Sequence, residues 1–246
     1  MSGAPSEDKK SDKAEIVRLE NIEKTYIMGS VRVPVLKGIS LVIRQGEFVG
    51  IMGASGSGKS TMLNLLGLLD KPSAGKYFLT ELEVENLPDN RLAELRNSCI
   101  GFIFQSFNLF PHLSVEENIQ VPLIYMGIPR RRRHEIAKDL ASKVGLGHRL
   151  KHRPTELSGG ECQRIAVARA LSTTPSFLLA DEPTGNLDAK TSAEIMKLFH
   201  ELHAKGVTII MVTHNPEYEK VFERVVHMRD GKVLSDGPPH SEAQKE

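Results

Sequence analysis

The sequence predicts an α/β fold with a largely parallel sheet and an inserted helical segment. Three observations lead there. Short apolar runs rich in β-branched residues alternate with stretches of helical spacing, the pattern of strands joined by crossover helices. A glycine-rich turn separates the apolar run at 48–52 from an apolar, helix-like stretch at 61–69. The middle, about 114–157, keeps only helical spacing, through Val115, Ile119, Ile136, Leu140 and Val144.

The elements follow in order. Residues 1–14 hold Pro5, Ser6, Glu7, Asp8, Lys9 and Lys10 with no apolar stretch, so a disordered tail is expected and a secretory signal is not. Ile16, Val17, Leu19 and Ile22 start a strand-like pattern that resumes from Val31 to Ile43. The run at 48–52 suits a buried strand. Residues 92–96 read as helix and 100–104 as strand. Pro122 and Pro129 are expected to break the insertion into short helices. A helix follows Gly160, and strands at 177–180 and 207–212 flank a helix at 191–204. The chain after Ser235, with Gly237, Pro238 and Pro239, should be a flexible tail, 236–246.

Composition narrows the function. The 246 residues allow one large domain or two small ones. Lys+Arg total 32 and Asp+Glu 31, a formal charge of +1, which argues against a DNA-coating protein and an acidic disordered chain. The two cysteines, Cys99 and Cys162, lie far apart. That disfavours a disulfide scaffold or zinc site and fits a reducing compartment. No segment approaches the roughly 18 apolar residues of a membrane span. A cytoplasmic chain with no span of its own is expected.

Two motifs carry chemistry. Gly53, Ala54, Ser55, Gly56, Ser57, Gly58, Lys59 and Ser60 satisfy the phosphate-binding pattern GxxxxGK[ST], and Thr61 continues it into the helix. Its glycines let backbone N–H groups wrap phosphate oxygens, and the helix that follows adds its positive end. Lys59 would reach the β- and γ-phosphates, and the Ser60 hydroxyl would ligate Mg²⁺. The second motif is the apolar run at 177–180 ending in Asp181 and Glu182. Alone it reads as a strand meeting a solvated turn. Behind the first motif, Asp181 suits Mg²⁺ and Glu182 suits a base that orients or deprotonates water.

A third stretch, Leu157, Ser158, Gly159, Gly160 and Glu161, reads alone as a capped helix start. In order with the first two, and with Gln105, Asp188 and His214, the set resembles the ATP-binding cassette (ABC) ATPases over residues 16 to about 235. The resemblance implies a P-loop NTPase fold: a RecA-like parallel sheet core, an antiparallel β subdomain and an inserted α-helical subdomain at about 106–160. It implies ATP hydrolysis with Mg²⁺. Tyr26 matches the aromatic that stacks on adenine. Gln105 matches the residue that senses Mg²⁺ and the attacking water. Residues 185–188 match a loop that crosses the dimer interface, and His214 matches the histidine that contacts the γ-phosphate. Ser158, Gly159 and Gly160 match the signature that meets the ATP of a second, head-to-tail copy. One departure stands out. Glu161 and Cys162 occupy positions where the family usually has glutamines, and Cys162 is read as a packing residue.

The stretches at 24–29, 53–58, 66–72 and 181–188 look like the macrolide-export and lipoprotein-release group (MacB/LolD-like), which couples to permeases with four membrane spans. This implies a motor on the cytoplasmic face of the inner membrane. A cell-division relative (FtsE-like) shares residues 185–188, so export and envelope mechanotransmission both remain open. Non-transport ABC ATPases are the other class; they carry a long coiled coil or two cassettes, and neither is seen here. Finally, residues 128–153 hold nine Lys/Arg against Glu135 and Asp139. That is either a solvated helical face or a surface beside anionic lipid.

Overall fold

A computed structural model describes residues 13–239. The expected tails therefore fall mostly outside the described residues. Two layers of sheet share the chain. The antiparallel layer contains β1 (Glu15–Met28), β2 (Val31–Arg44), β4 (Ala74–Leu79) and β5 (Leu82–Glu83), in the order β2-β1-β4-β5. The second layer has the order β10-β9-β3-β8-β7-β6. Its strands are β3 (Phe48–Met52), β6 (Ile100–Ile103), β7 (Phe177–Asp181), β8 (Ile209–Thr213), β9 (Arg224–Arg229) and β10 (Lys232–Gly237). All neighbours there are parallel except β9 and β10.

Every residue of β3 and β8 is buried, as expected of strands covered on both faces. Alternate side chains serve two separate cores. Val49, Ile51, Ile210 and Val212 face the antiparallel layer together with α1 (Lys59–Leu66) and α2 (Asp89–Cys99). Phe48, Met52, Ile209 and Met211 face the other helices: α3 (Val115–Tyr125), α4 (Arg130–Lys143), α5 (Gly159–Leu171) and α6 (Ala189–Ala204). None of the described helices is long and apolar enough to cross a membrane.

Three local expectations change. The first helix ends at Leu66 rather than 69, because Gly67 caps it and Leu68 turns left-handed (φ 54°). Pro122 lies inside α3 instead of ending it. A full capping box at Ser114 and Glu117, and burial of Ile119 and Leu123, hold that helix across the one hydrogen bond a proline removes. Only Pro129, the N-cap of α4, marks a break. Third, β10 carries ordered chain past Ser235, and Asp236 receives two hydrogen bonds from Arg224, at 2.5 and 2.6 Å.

Candidate nucleotide-binding and hydrolytic site

The parallel strands end on one side of the sheet, and the site is built there. The loop at 53–58 leaves β3 and enters α1. Gly53 is the residue its position demands: φ is 156° and a Cβ would stand 2.2 Å from the carbonyl oxygen of Met228. The loop is pinned from the β9–β10 turn, where the Gly231 N–H donates to the Ser57 carbonyl (3.1 Å). Gly58 caps α1 with no side-chain acceptor, so the first N–H groups of the helix stay available to an anion. The Ser57 hydroxyl is buried and has no hydrogen-bond partner among the described residues. A buried polar atom in that condition fits a loop that takes a polar ligand. Lys59 folds its ammonium over the loop and donates to the carbonyls of Gly53 (2.7 Å) and Ala54 (2.9 Å).

Asp181 closes β7, next to β8. Burial raises its carboxyl above the ordinary value, the charge of Glu182 raises it further, and Lys59 opposes both. That places Asp181 within electrostatic reach of both motifs. Glu182 is the first residue past the strand and takes a left-handed conformation (φ 43°), uncommon for a residue with a Cβ. This turn leads its carboxylate to three donors. The His214 backbone N–H (2.9 Å) and ring Nδ1 (2.6 Å) reach one oxygen, and the Thr213 hydroxyl (3.1 Å) reaches the other. The acceptor role of the carboxylate makes Nδ1 the protonated ring nitrogen. Nε2 is then left for another partner.

Gln105 follows β6, and one cavity of about 1010 Å³ is lined by Gln105, Glu182 and His214. The structure thus gathers these three. Ser60 and Thr61 lie in the first turn of α1. The oxygen donors that suit Mg²⁺ are the Ser60 hydroxyl, the Asp181 carboxylate and the Gln105 amide oxygen. Mg²⁺ takes oxygen ligands only and is usually held by one or two carboxylates beside substrate phosphates, and an all-oxygen set with one carboxylate suits it.

The remaining residues lie elsewhere. Ser158 caps α5 in a capping box: its hydroxyl lies 2.9 Å from Glu161 Oε2, and the Glu161 N–H donates back at 3.3 Å. The Ser158 backbone bond holds the Glu161 carboxyl below the usual range against a smaller effect of burial, and Arg149 adds to it. Gly159 and Gly160 pack against Leu187 and Thr191. Among the described residues no hydrogen bond joins Ser158, Gly159 or Gly160 to the 53–60 loop or to Glu182. Cys162 is buried, its thiol 3.5 Å from the Pro154 carbonyl, and burial raises its pKa, as suits a packing residue. Tyr26 is anchored on β1, its hydroxyl donating to Asp70 (3.0 Å) and the Lys24 ammonium standing 4.9 Å from its ring centre. Asp70, Thr213 and Asn186 each hold a site residue, and sequence reasoning assigned none of them that role.

These features define a P-loop nucleoside triphosphatase: a phosphate loop, a strand-end carboxylate and a second carboxylate held by a histidine. Comparison with known proteins narrows the class. The pattern of the ABC transporter family matches residues 36–185. An uncharacterized ABC transporter ATP-binding protein of Thermotoga maritima is 50% identical over 89% of this chain and 94% of its own. The macrolide export ATP-binding/permease protein MacB of Chlorobium luteolum is 51% identical over 90% of this chain, which spans 33% of MacB. A dimeric ATP-binding cassette, MJ0796, solved in a post-hydrolysis state with ADP and inorganic phosphate, superposes with a TM-score of 0.82 at 41% identity. That match covers 92% of this chain and all of that one. The chain belongs to the ABC transporter family and is one of its ATP hydrolases.

Proposed function

We propose that this chain is the motor of a membrane complex, and that ATP closes two copies head to tail while hydrolysis lets them part. The observation that carries the hydrolytic half is the three-donor hold on Glu182. It holds a carboxylate at the strand end in one orientation, which supports reading it as the base that orients and deprotonates water. Backbone N–H groups of residues 54–61 and the Lys59 ammonium bind the phosphates. His214 presents Nε2 to the γ-phosphate. Ser60, Asp181 and Gln105 would hold Mg²⁺, which would supply charge neutralisation on the phosphates. Tyr26 stacks on adenine. Little covalent chemistry falls to the protein, so positioning and electrostatics dominate. The test is Glu182→Gln. It should bind ATP with unchanged affinity, accumulate as a dimer by size exclusion and lose at least about 100-fold in turnover. Near-normal turnover would overturn the assignment.

The dimer reading draws on the signature: Ser158 and the N–H groups of α5 offer anion-binding chemistry that their own chain does not bring to its phosphate loop. The MJ0796 cassette, solved as a dimer with ADP and inorganic phosphate, supports the pairing of two copies. The permease reading draws on a groove of about 660 Å³ between α2 and α3. Phe102, Phe104, Phe110, Pro122 and Tyr125 line it, with Phe110 43% and Tyr125 80% exposed. An apolar groove of that kind suits a cytoplasmic helix of a permease. MacB joins ATP-binding and permease in one name, whereas the Thermotoga relative of matching length is named for ATP binding alone. We therefore place the permease, of the four-span MacB-like type, on a separate chain, and the motor on the cytoplasmic face of the membrane. The cargo class is export. Co-purification from membranes with a four-span protein tests this; recovery with a cytoskeletal or ribosomal assembly would refute it. Arg131 and Arg132 share the single carboxylate of Glu135 at the exposed start of α4. Their excess charge suits anionic lipid beside that permease. Reversing residues 130–133 to Glu should weaken binding to anionic vesicles, and unchanged binding would make them a solvated face.

A further inference from the structure

Gln105, after β6, is gripped from the loop that follows the neighbouring strand β7. Its Nε2 donates to Asn186 Oδ1 (3.3 Å), and Asn186 Nδ2 donates back to the Gln105 backbone carbonyl (3.1 Å). The two residues are 81 positions apart. Gly185 packs against the same amide: a Cβ there would stand 2.6 Å from Gln105 Nε2 and 3.1 Å from Cδ. Gly185 also lines the cavity that holds Glu182 and His214.

The direction of these bonds matters. A glutamine amide has one donor end and one acceptor end, and only the oxygen can ligate a cation. Asn186 takes the nitrogen. Among the described residues no hydrogen bond takes up Oε1. The grip therefore selects the rotation of the amide that leaves its oxygen uncommitted. It also limits a side chain that would otherwise lose much rotamer freedom when it met a ligand. A missing side chain at Gly185 gives the amide room to lie there.

We propose that Asn186 and Gly185 are positioning residues for hydrolysis, setting the Gln105 amide with its oxygen toward the metal and water. This rests on the reading of Gln105 given above. It has a structural corollary. Phe104 and Asn108, close to Gln105 on either side, line the groove assigned to the permease. Asn186 lies two residues before Asp188, in the loop assigned to the dimer interface. One pair of hydrogen bonds thus joins the groove, the metal ligand and the interface.

The test uses the full chain, with ATPase rates measured against ATP and Mg²⁺. Asn186→Ala removes the grip. Gly185→Ala adds a methyl that strikes only the mobile end of Gln105, so it displaces the amide with little cost to the fold. Each should lower kcat roughly ten-fold, since a misplacement near 1 Å costs up to about 100-fold. Each should raise the Mg²⁺ concentration for half-maximal rate, leave KM for ATP within about two-fold and leave the melting temperature unchanged. On a Gln105→Ala background neither should change kcat by more than about two-fold, because coupled sites are not additive. Full additivity on that background, or unchanged kcat in both single variants, would overturn the proposal. If Gln105→Ala alone leaves kcat intact, the reading of Gln105 is what fails.

Discussion

The two ends of the nucleotide site differ in how complete they are. At the phosphate-loop end, Lys59, Gln105, Asp181, Glu182 and His214 arrive from four places in the sequence at one edge of one sheet. Two contacts are mutual: Glu182 with His214, and Gln105 with the loop after Glu182. At the signature end, Ser158 uses its hydroxyl on its own helix, and its neighbours Leu187 and Thr191 are packing residues. The first end can bind and cut a phosphate. The second offers only anion-binding groups, the first N–H groups of α5 and the Ser158 hydroxyl that now donates to Glu161. The proposed head-to-tail pairing would use that difference, each copy supplying the end the other lacks.

The sharpest way to break this comparison is complementation. Lys59→Ala disables the first end and Ser158→Arg the second. Each variant alone should lose at least about 100-fold in ATPase rate. In a mixed dimer, one of the two composite sites pairs a damaged loop with a damaged signature, and the other is intact. Mixing the two proteins should therefore restore activity well above the sum of the separate rates, up to about a quarter of wild type for random one-to-one pairing and independent sites. If both ends served one chain, mixing would restore nothing. A milder variant sharpens the same point. Ser158→Ala should destabilise the fold by about 1 kcal/mol through the lost cap, yet leave ATP binding to the single chain unchanged.

Legibility in the sequence follows the same division. The phosphate loop acts through consecutive backbone groups, so adjacent residues spell it out. Asp181 and Glu182 declare themselves because a run of four apolar residues marks the buried strand before them. The strands β4, β5, β9 and β10 left no comparable signal. Polar or charged residues, or glycine, interrupt their apolar positions, and β10 alternates exposed and half-buried ones, so they carry no run of four apolar residues. Pro122 misled because its cost was one hydrogen bond, outweighed by buried neighbours that only the tertiary fold supplies. The ties from Asn186 to Gln105 and from Asp70 to Lys24 and Tyr26 join residues 81, 46 and 44 apart. No local pattern encodes a pairing across such distances.

Tyr26 bears on the base end of the first half. Stacking of a base on an aromatic ring contributes about 1–3 kcal/mol. Tyr26→Ala should weaken ATP binding roughly ten-fold, read by titration with a fluorescent ATP analogue. Tyr26→Phe should retain most of the affinity and lose only the Asp70 bond. GTP should suffer the same loss with Tyr26→Ala, because stacking does not distinguish purines. If Tyr26→Ala and wild type bind equally, the ring is structural and the adenine is held elsewhere.

The smallest effect concerns the anchor beneath that ring. Burial pushes the Asp70 carboxyl up, but hydrogen bonds from Lys24, the Lys71 backbone and Tyr26 outweigh it and hold the group below its ordinary value. A carboxyl lowered in the folded state contributes stability above its unfolded value and loses it as pH falls through the folded one. Asp70→Asn removes the charge at every pH. At neutral pH the variant should melt about 2 °C below wild type, the shift expected for roughly 1 kcal/mol in a chain of this size. The gap should hold constant down to the ordinary carboxylate range, near pH 4. Below that it should shrink, as wild type loses its own contribution. A gap that stays constant through that range would mean that Lys24 and Tyr26 gain nothing from the charge, leaving Asp70 as a neutral acceptor that asparagine only imitates poorly.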